Sequence, residues 1–164
     1  MSVDVVLRYC TRSPWAPGPA TLRRWARLAA GGRKGELGIR VVGQREGRQL
    51  NERWRGGAYA TNVLSFPAAP ELGGRQIGDI VVCAPVVARE AREQGKALAA
   101  HWAHLIVHGT LHLLGHDHAE IEEEERMRRL EHDVLGVLHR RHREIAWKPG
   151  SLFDRAGHAV SNGS

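Results

Sequence analysis

The chain has 164 residues, 42% of them hydrophobic and 26% charged, with a formal charge of +6. That composition suits one globular domain with a full core and excludes a disordered or fibrous polypeptide. Cys10 and Cys83, far apart in sequence, exclude a disulfide framework and a thiolate zinc knuckle, and they point to a reducing, cytoplasmic setting. The first ten residues lack a basic stretch followed by an apolar one, and the longest apolar run, residues 80–88, contains Pro85. Neither a signal peptide nor a membrane span is therefore expected.

Residues 3–9 alternate and carry β-branched side chains, the pattern of a first strand. Residues 21–30 follow Pro17 and Pro19 as a short amphipathic helix stopped by Gly31-Gly32. A second strand is predicted over 36–42, with Leu37, Ile39 and Val41 on one side, and a polar helix over 46–55, ended by Gly56-Gly57. Residues 62–66, closed by Pro67, and residues 77–83 are two further strands, the latter with a buried Ile80-Val81-Val82 centre. Beyond them the period changes to helix at 85–93, 97–114 and 120–139. Strands early and helices late predict an α+β fold: a small mixed four-stranded sheet packed with helices. One domain is expected over residues 1–145, with residues 146–164 as a loosely ordered tail.

The charge favours polyanionic partners, nucleic acid first among them in a chain without a membrane signal. Arginine outnumbers lysine twenty-one to three, which fits a compositional bias as well as a phosphate-binding surface. Only nine residues are Phe, Trp or Tyr, too few for a binder that interleaves stacking platforms with basic residues. The acidic run 120–125 lies where carboxylates meet a helix dipole and reads as a capped, solvated helix start.

The densest chemistry lies in His108-Gly-Thr-Leu-His112-Leu-Leu-Gly-His-Asp-His118. Four-residue spacing on a helix places the His108 and His112 rings on one face about 6 Å apart, close enough to share an ion. Gly115 is placed to end that helix in a left-handed turn, which swings His118 toward the pair. Three imidazoles with a fourth position left for water form an open, catalytic kind of zinc site. His104 continues the same stripe, but a straight helix spreads His104, His108 and His112 over about 12 Å, too far for one ion. It is read as packing or as support behind the ligands. His116, immediately after the turn, is the weaker competitor of His118, and Asp117 is placed to orient a ligand histidine or the attacking water.

Together with Thr61-Asn-Val-Leu-Ser-Phe-Pro67 and Gly78-Asp-Ile80, this run resembles the YbeY family of bacterial endoribonucleases and ribosomal RNA maturation factors. The resemblance spans residues 3–139 and takes in Asn51 and Arg55 of Leu50-Asn-Glu-Arg-Trp-Arg-Gly56, with Met127 and Glu131 further on. It implies one metal ion, zinc by usual assignment, on His108, His112 and His118, with Arg55 as a functional residue beside it. It also implies cleavage of single-stranded RNA, maturation of the 3′ end of 16S ribosomal RNA and ribosome quality control. The partners it implies are the small ribosomal subunit, its proteins and a ribosome-assembly GTPase. Arg55 would grip nonbridging phosphate oxygens, or else neutralise a helix C-terminus. Asn62 and Ser65 are candidate substrate contacts, or the satisfied polar groups of a buried strand. Two alternatives stand beside the nuclease. A zinc metallopeptidase needs a glutamate directly after the first histidine, where this chain has Gly109. A noncatalytic ribosome-assembly factor needs only the basic surface.

Overall fold

The computed structural model describes residues 3–12, 14–55, 61–69 and 75–115, and seven residues between 125 and 136. In chain order the elements are β1 (Asp4–Tyr9), α1 (Pro19–Ala30), β2 (Glu36–Val42), α2 (Gln44–Arg55), β3 (Val63–Pro67), β4 (Gln76–Cys83), α3 (Ala84–Glu93) and α4 (Leu98–Leu113). The predicted elements are present with shifted ends. Helix α1 starts two residues early because Pro19 takes the first helical turn, where its missing N–H costs nothing. It stops at Gly31, whose φ is 61°. Of the helix predicted over 120–139, the described residues 125, 128, 129, 132, 133, 135 and 136 are helical, and Leu135 is buried in the core. His116, Asp117, His118, Met127, Glu131 and residues 146–164 lie outside the described residues.

The four strands form one mixed sheet in the order β1-β2-β4-β3. Strands β1, β2 and β4 run parallel, and β3 pairs antiparallel to β4 at the edge. Register fixes what each face carries. The rows Leu7–Ile39–Ile80–Ser65 and Tyr9–Val41–Val82–Val63 face one way, and Val6–Gly38–Asp79–Phe66 and Arg8–Arg40–Val81–Leu64 face the other. The first face meets α1 and α4 in the main core, where Leu22, Trp25, Trp102, Leu105 and Ile106 are fully buried. Each such side chain contributes about 1.5–3 kcal/mol of transfer free energy. The second face carries a smaller cluster of Val42, Leu64, Val81, Cys83 and Val86, with Leu50 of α2 against it. Strand β4 is thus covered on both sides, which is why Ile80 to Cys83 is a continuous apolar run.

Some of the arginine excess is structural. Arg23 and Arg27 of α1 turn back and donate through Nε to the carbonyls of Val5 and Val3, at 3.4 and 3.2 Å, on the edge of β1 that pairs with no strand among the described residues. Such capping blunts an exposed sheet edge. Among the described residues no helix is long and apolar enough to cross a membrane.

Candidate metal centre

Helix α4 sets the site. Residues 101–111 are all buried, so this is a core helix covered all round that carries histidines into the interior. At 100° per residue, His101, His104, His108 and His112 fall within an arc of about 80° on one face. His101 and His104 are deeply buried, and His108 is 7% exposed. The rings of His108 and His112 stack, with centroids 6.3 Å apart and planes 21° from parallel. Two imidazoles bound to one tetrahedral ion have ring centres about 5 Å apart, given metal–nitrogen bonds of about 2 Å. The pair therefore fits a shared ion after its rings close by about 1 Å, a side-chain adjustment that needs no movement of the helix.

The glycine turn is where the sequence places it. Gly115 has φ 97° and its N–H donates to the carbonyl of His112 at 3.1 Å, so α4 ends within one turn of the second histidine. His118, the third expected ligand, falls beyond the described residues, and groups of three or more metal-binding side chains are absent among the described ones. Arg55 is the last residue of α2.

Gly109, between the two histidines, is turned onto β4. A Cβ there would stand 3.2 Å from Cδ1 and Cγ2 of Ile80. The close helix-to-strand approach favours a small residue, and a carboxylate side chain at this position has no room on the sheet side. The position that a metallopeptidase uses for its general base is spent on packing.

Behind the histidine face lies a network that sequence reasoning missed. Glu90 of α3 accepts at Oε1 from Asn62 Nδ2 and from His101 Nε2, each at 3.0 Å. Asn62 Oδ1 in turn accepts the Val63 N–H, and the Asn62 carbonyl accepts the Cys83 N–H at 2.9 Å. One carboxylate thus ties the start of β3 to α3 and α4. Asn62, 4% exposed, spends its amide inside the protein, in line with the buried-strand alternative. Ser65 is also buried, on the α4 side of the sheet. A signal was present: Glu90 lies on α3 beside the buried Val86, Val87 and Ala91, and a half-buried carboxylate calls for partners.

Burial would raise the Glu90 carboxyl, but the hydrogen bonds from His101 and Asn62, with the charges of His101 and Arg89, outweigh it and hold the group below its ordinary 4.5. A depressed carboxyl contributes stability that is present above its unfolded value and lost as pH falls through the folded one. The wild-type melting temperature is therefore expected to fall more steeply between about pH 5 and pH 3 than that of Glu90→Gln. Thermal melts across that range check this, and parallel profiles for the two proteins would contradict it.

The fold and site together define an α+β domain built round a histidine-bearing core helix with a glycine turn at its end. The sequence profile described as Endoribonuclease YbeY matches residues 21–139, and the chain belongs to that family. It is 54% identical over 134 residues to the Endoribonuclease YbeY of Stutzerimonas stutzeri, covering 79% of this chain and 84% of the relative. To that of Pseudomonas entomophila it is 56% identical over 128 residues, covering 75% and 82%. To that of Xanthomonas axonopodis pv. citri it is 49% identical over 144 residues, covering 83% and 89%. The solution structure of a Thermotoga maritima protein superposes with a TM-score of 0.54 at 25% identity, covering 88% of this chain and 99% of that one.

Proposed function

We propose that this protein is a metal-dependent endoribonuclease that cuts single-stranded RNA and matures the 3′ end of 16S ribosomal RNA, with a part in ribosome quality control. The observation that carries the reading is the paired His108 and His112 on one face of α4, 6.3 Å between ring centres, in a member of a family whose relatives are described as endoribonucleases. His108, His112 and His118 would hold one zinc ion. Held there, the ion supplies Lewis acidity toward water and toward a phosphoryl oxygen.

The chain's own residues do the rest. Arg55 grips the nonbridging oxygens through its planar fork and stabilises the charge that grows on them. Asp117 orients a ligand histidine or the attacking water. His104, buried one turn before His108, supports the ligand pair from behind. Ser65 and Asn62 shape the substrate side through β3, Asn62 by way of its bonds to Glu90 and Val63. The substrate places the protein at the small ribosomal subunit in the cytoplasm, in contact with subunit proteins and a ribosome-assembly GTPase.

A peptidase is disfavoured by Gly109, packed against Ile80. An open set of three protein ligands favours catalysis over a purely structural ion. The test compares unstructured RNA, duplex RNA and casein as substrates for the purified protein. Cleavage confined to the unstructured RNA, stopped by a chelator and restored by zinc, is expected. Chelator-sensitive cleavage of casein alone would support the peptidase, and cosedimentation with small subunits without any cleavage would support the assembly factor.

A further inference from the structure

Among the described residues, the sheet face opposite α4 is only partly roofed. Helix α2 lies over its β3–β4 side and leaves a groove of about 590 Å³ between α2 and the open strands. That lies within the ~300–1,000 Å³ typical of small-molecule sites. Trp54 forms part of its lining and is 59% exposed, while Phe66 of β3 meets the indole edge-on with centroids 6.2 Å apart. The Arg53 guanidinium lies over one face of the indole, 5.5 Å from its centroid. Charges in the groove balance: Arg8 and Arg40 are matched by Glu36 and Asp79, and Arg40 is already paired with Glu46 at 3.2 Å. A phosphate finds no net positive field there. A neutral planar heterocycle finds a ring to stack on, a carboxylate to accept from its amino group and guanidinium and amide donors for its carbonyls.

We propose that this groove is a subsite for one unpaired nucleobase of a single-stranded RNA, stacked on Trp54 and read at its edge by Asp79 and Arg8. The inference rests on the RNA-cleaving reading above and adds to it a place for the strand. Trp54 directly precedes Arg55 in α2. Gly78, paired with Pro67 beside Phe66, meets Leu113 on the α4 side of the sheet, with 3.0 Å between a Cβ built there and Leu113 Cδ2. The groove and the His108–His112 pair lie on opposite faces of the sheet, so the subsite is separate from the metal pair and has α2 in common with Arg55. It also gives single-strand preference a physical cause, because a base engaged in a duplex has no free face or edge to offer. The chain needs few aromatics for this, since one exposed ring suffices for one base.

The test measures affinity without cutting. In the His112→Ala protein, binding of a fluorescein-labelled eight-nucleotide RNA lacking self-complementarity is followed by anisotropy. Adding Trp54→Leu, which keeps apolar bulk and loses the π face, is expected to weaken binding about tenfold, whereas Trp54→Phe retains most of it. RNAs with single abasic nucleotides are expected to lose the same factor at one position, and to lose nothing further when Trp54 is already leucine. Trp54→Leu binding within twofold of its parent overturns the subsite. RNA that fails to bind the parent overturns it as well. Cleavage by the wild type is scored separately: cutting without a Trp54 effect sinks only the subsite, and a Trp54 effect without cutting sinks only the nuclease.

Discussion

Gly109→Glu is expected to destabilise the protein by about 3–5 kcal/mol, through overpacking and burial of an unpaired carboxylate. For a domain of this size that lowers the melting temperature by roughly 10 °C. A Cβ alone already stands 3.2 Å from two Ile80 carbons, and the rest of the glutamate would enter a helix whose neighbouring residues are all buried. Gly109→Ala is the control: the contact with Ile80 opposes a helix-propensity gain of about 1 kcal/mol, so its net effect stays within about that amount. Peptidase activity is not expected from the glutamate variant, because the position faces β4. Thermal melts and a casein assay check both statements. A stable Gly109→Glu protein that cleaves casein would contradict the packing account and revive the peptidase.

Arg55→Ala is expected to lower RNA cleavage by about 10²–10³-fold with zinc content unchanged, the usual loss when a preorganised partner for developing charge is removed. Arg55→Lys is expected to recover only part of the rate, since a point charge does not reproduce a bidentate fork. If Arg55 merely neutralises the C-terminal end of α2, the alanine variant loses at most about 1 kcal/mol of stability and cuts RNA normally. Single-turnover cleavage beside a melting curve separates the two.

The elements were legible because the signals that specify them are local. Leu37, Ile39 and Val41 alternate along β2, Gly31 ends α1 with a positive φ, and Gly115 does the same just beyond α4. The mixed α+β character followed from the change of period after Cys83. The strand order β1-β2-β4-β3 did not follow, because pairing between strands far apart in sequence leaves no periodic trace in either one. The closeness of the His108 and His112 rings was legible for a geometric reason: four-residue spacing is set by the helix itself, whatever surrounds it.

The Asn62–Glu90–His101 network shows where that reasoning ends. Each of the three residues lies on a different element, and only the packing of α3 and α4 beside β3 brings them together. The sequence left Asn62 between substrate contact and buried strand, and its bonds to Glu90 and Val63 give it an internal task. The groove beside Trp54 was likewise out of reach, since counting aromatics says nothing about where one of them is exposed. Gly109 was singled out by what it lacks for proteolysis, and the nearby Ile80 carbons supply a physical reason for a small residue there.

The central claim is that His108, His112 and His118 hold an ion on which RNA cleavage depends. The most direct measurement is zinc per chain by elemental analysis, with RNA cleavage assayed on the same chromatographic fractions, for wild type and His112→Ala. About one equivalent coeluting with cleavage in the wild type, and loss of both in a folded His112→Ala protein, is the predicted result. Undiminished RNA cleavage in metal-free His112→Ala fractions would contradict it.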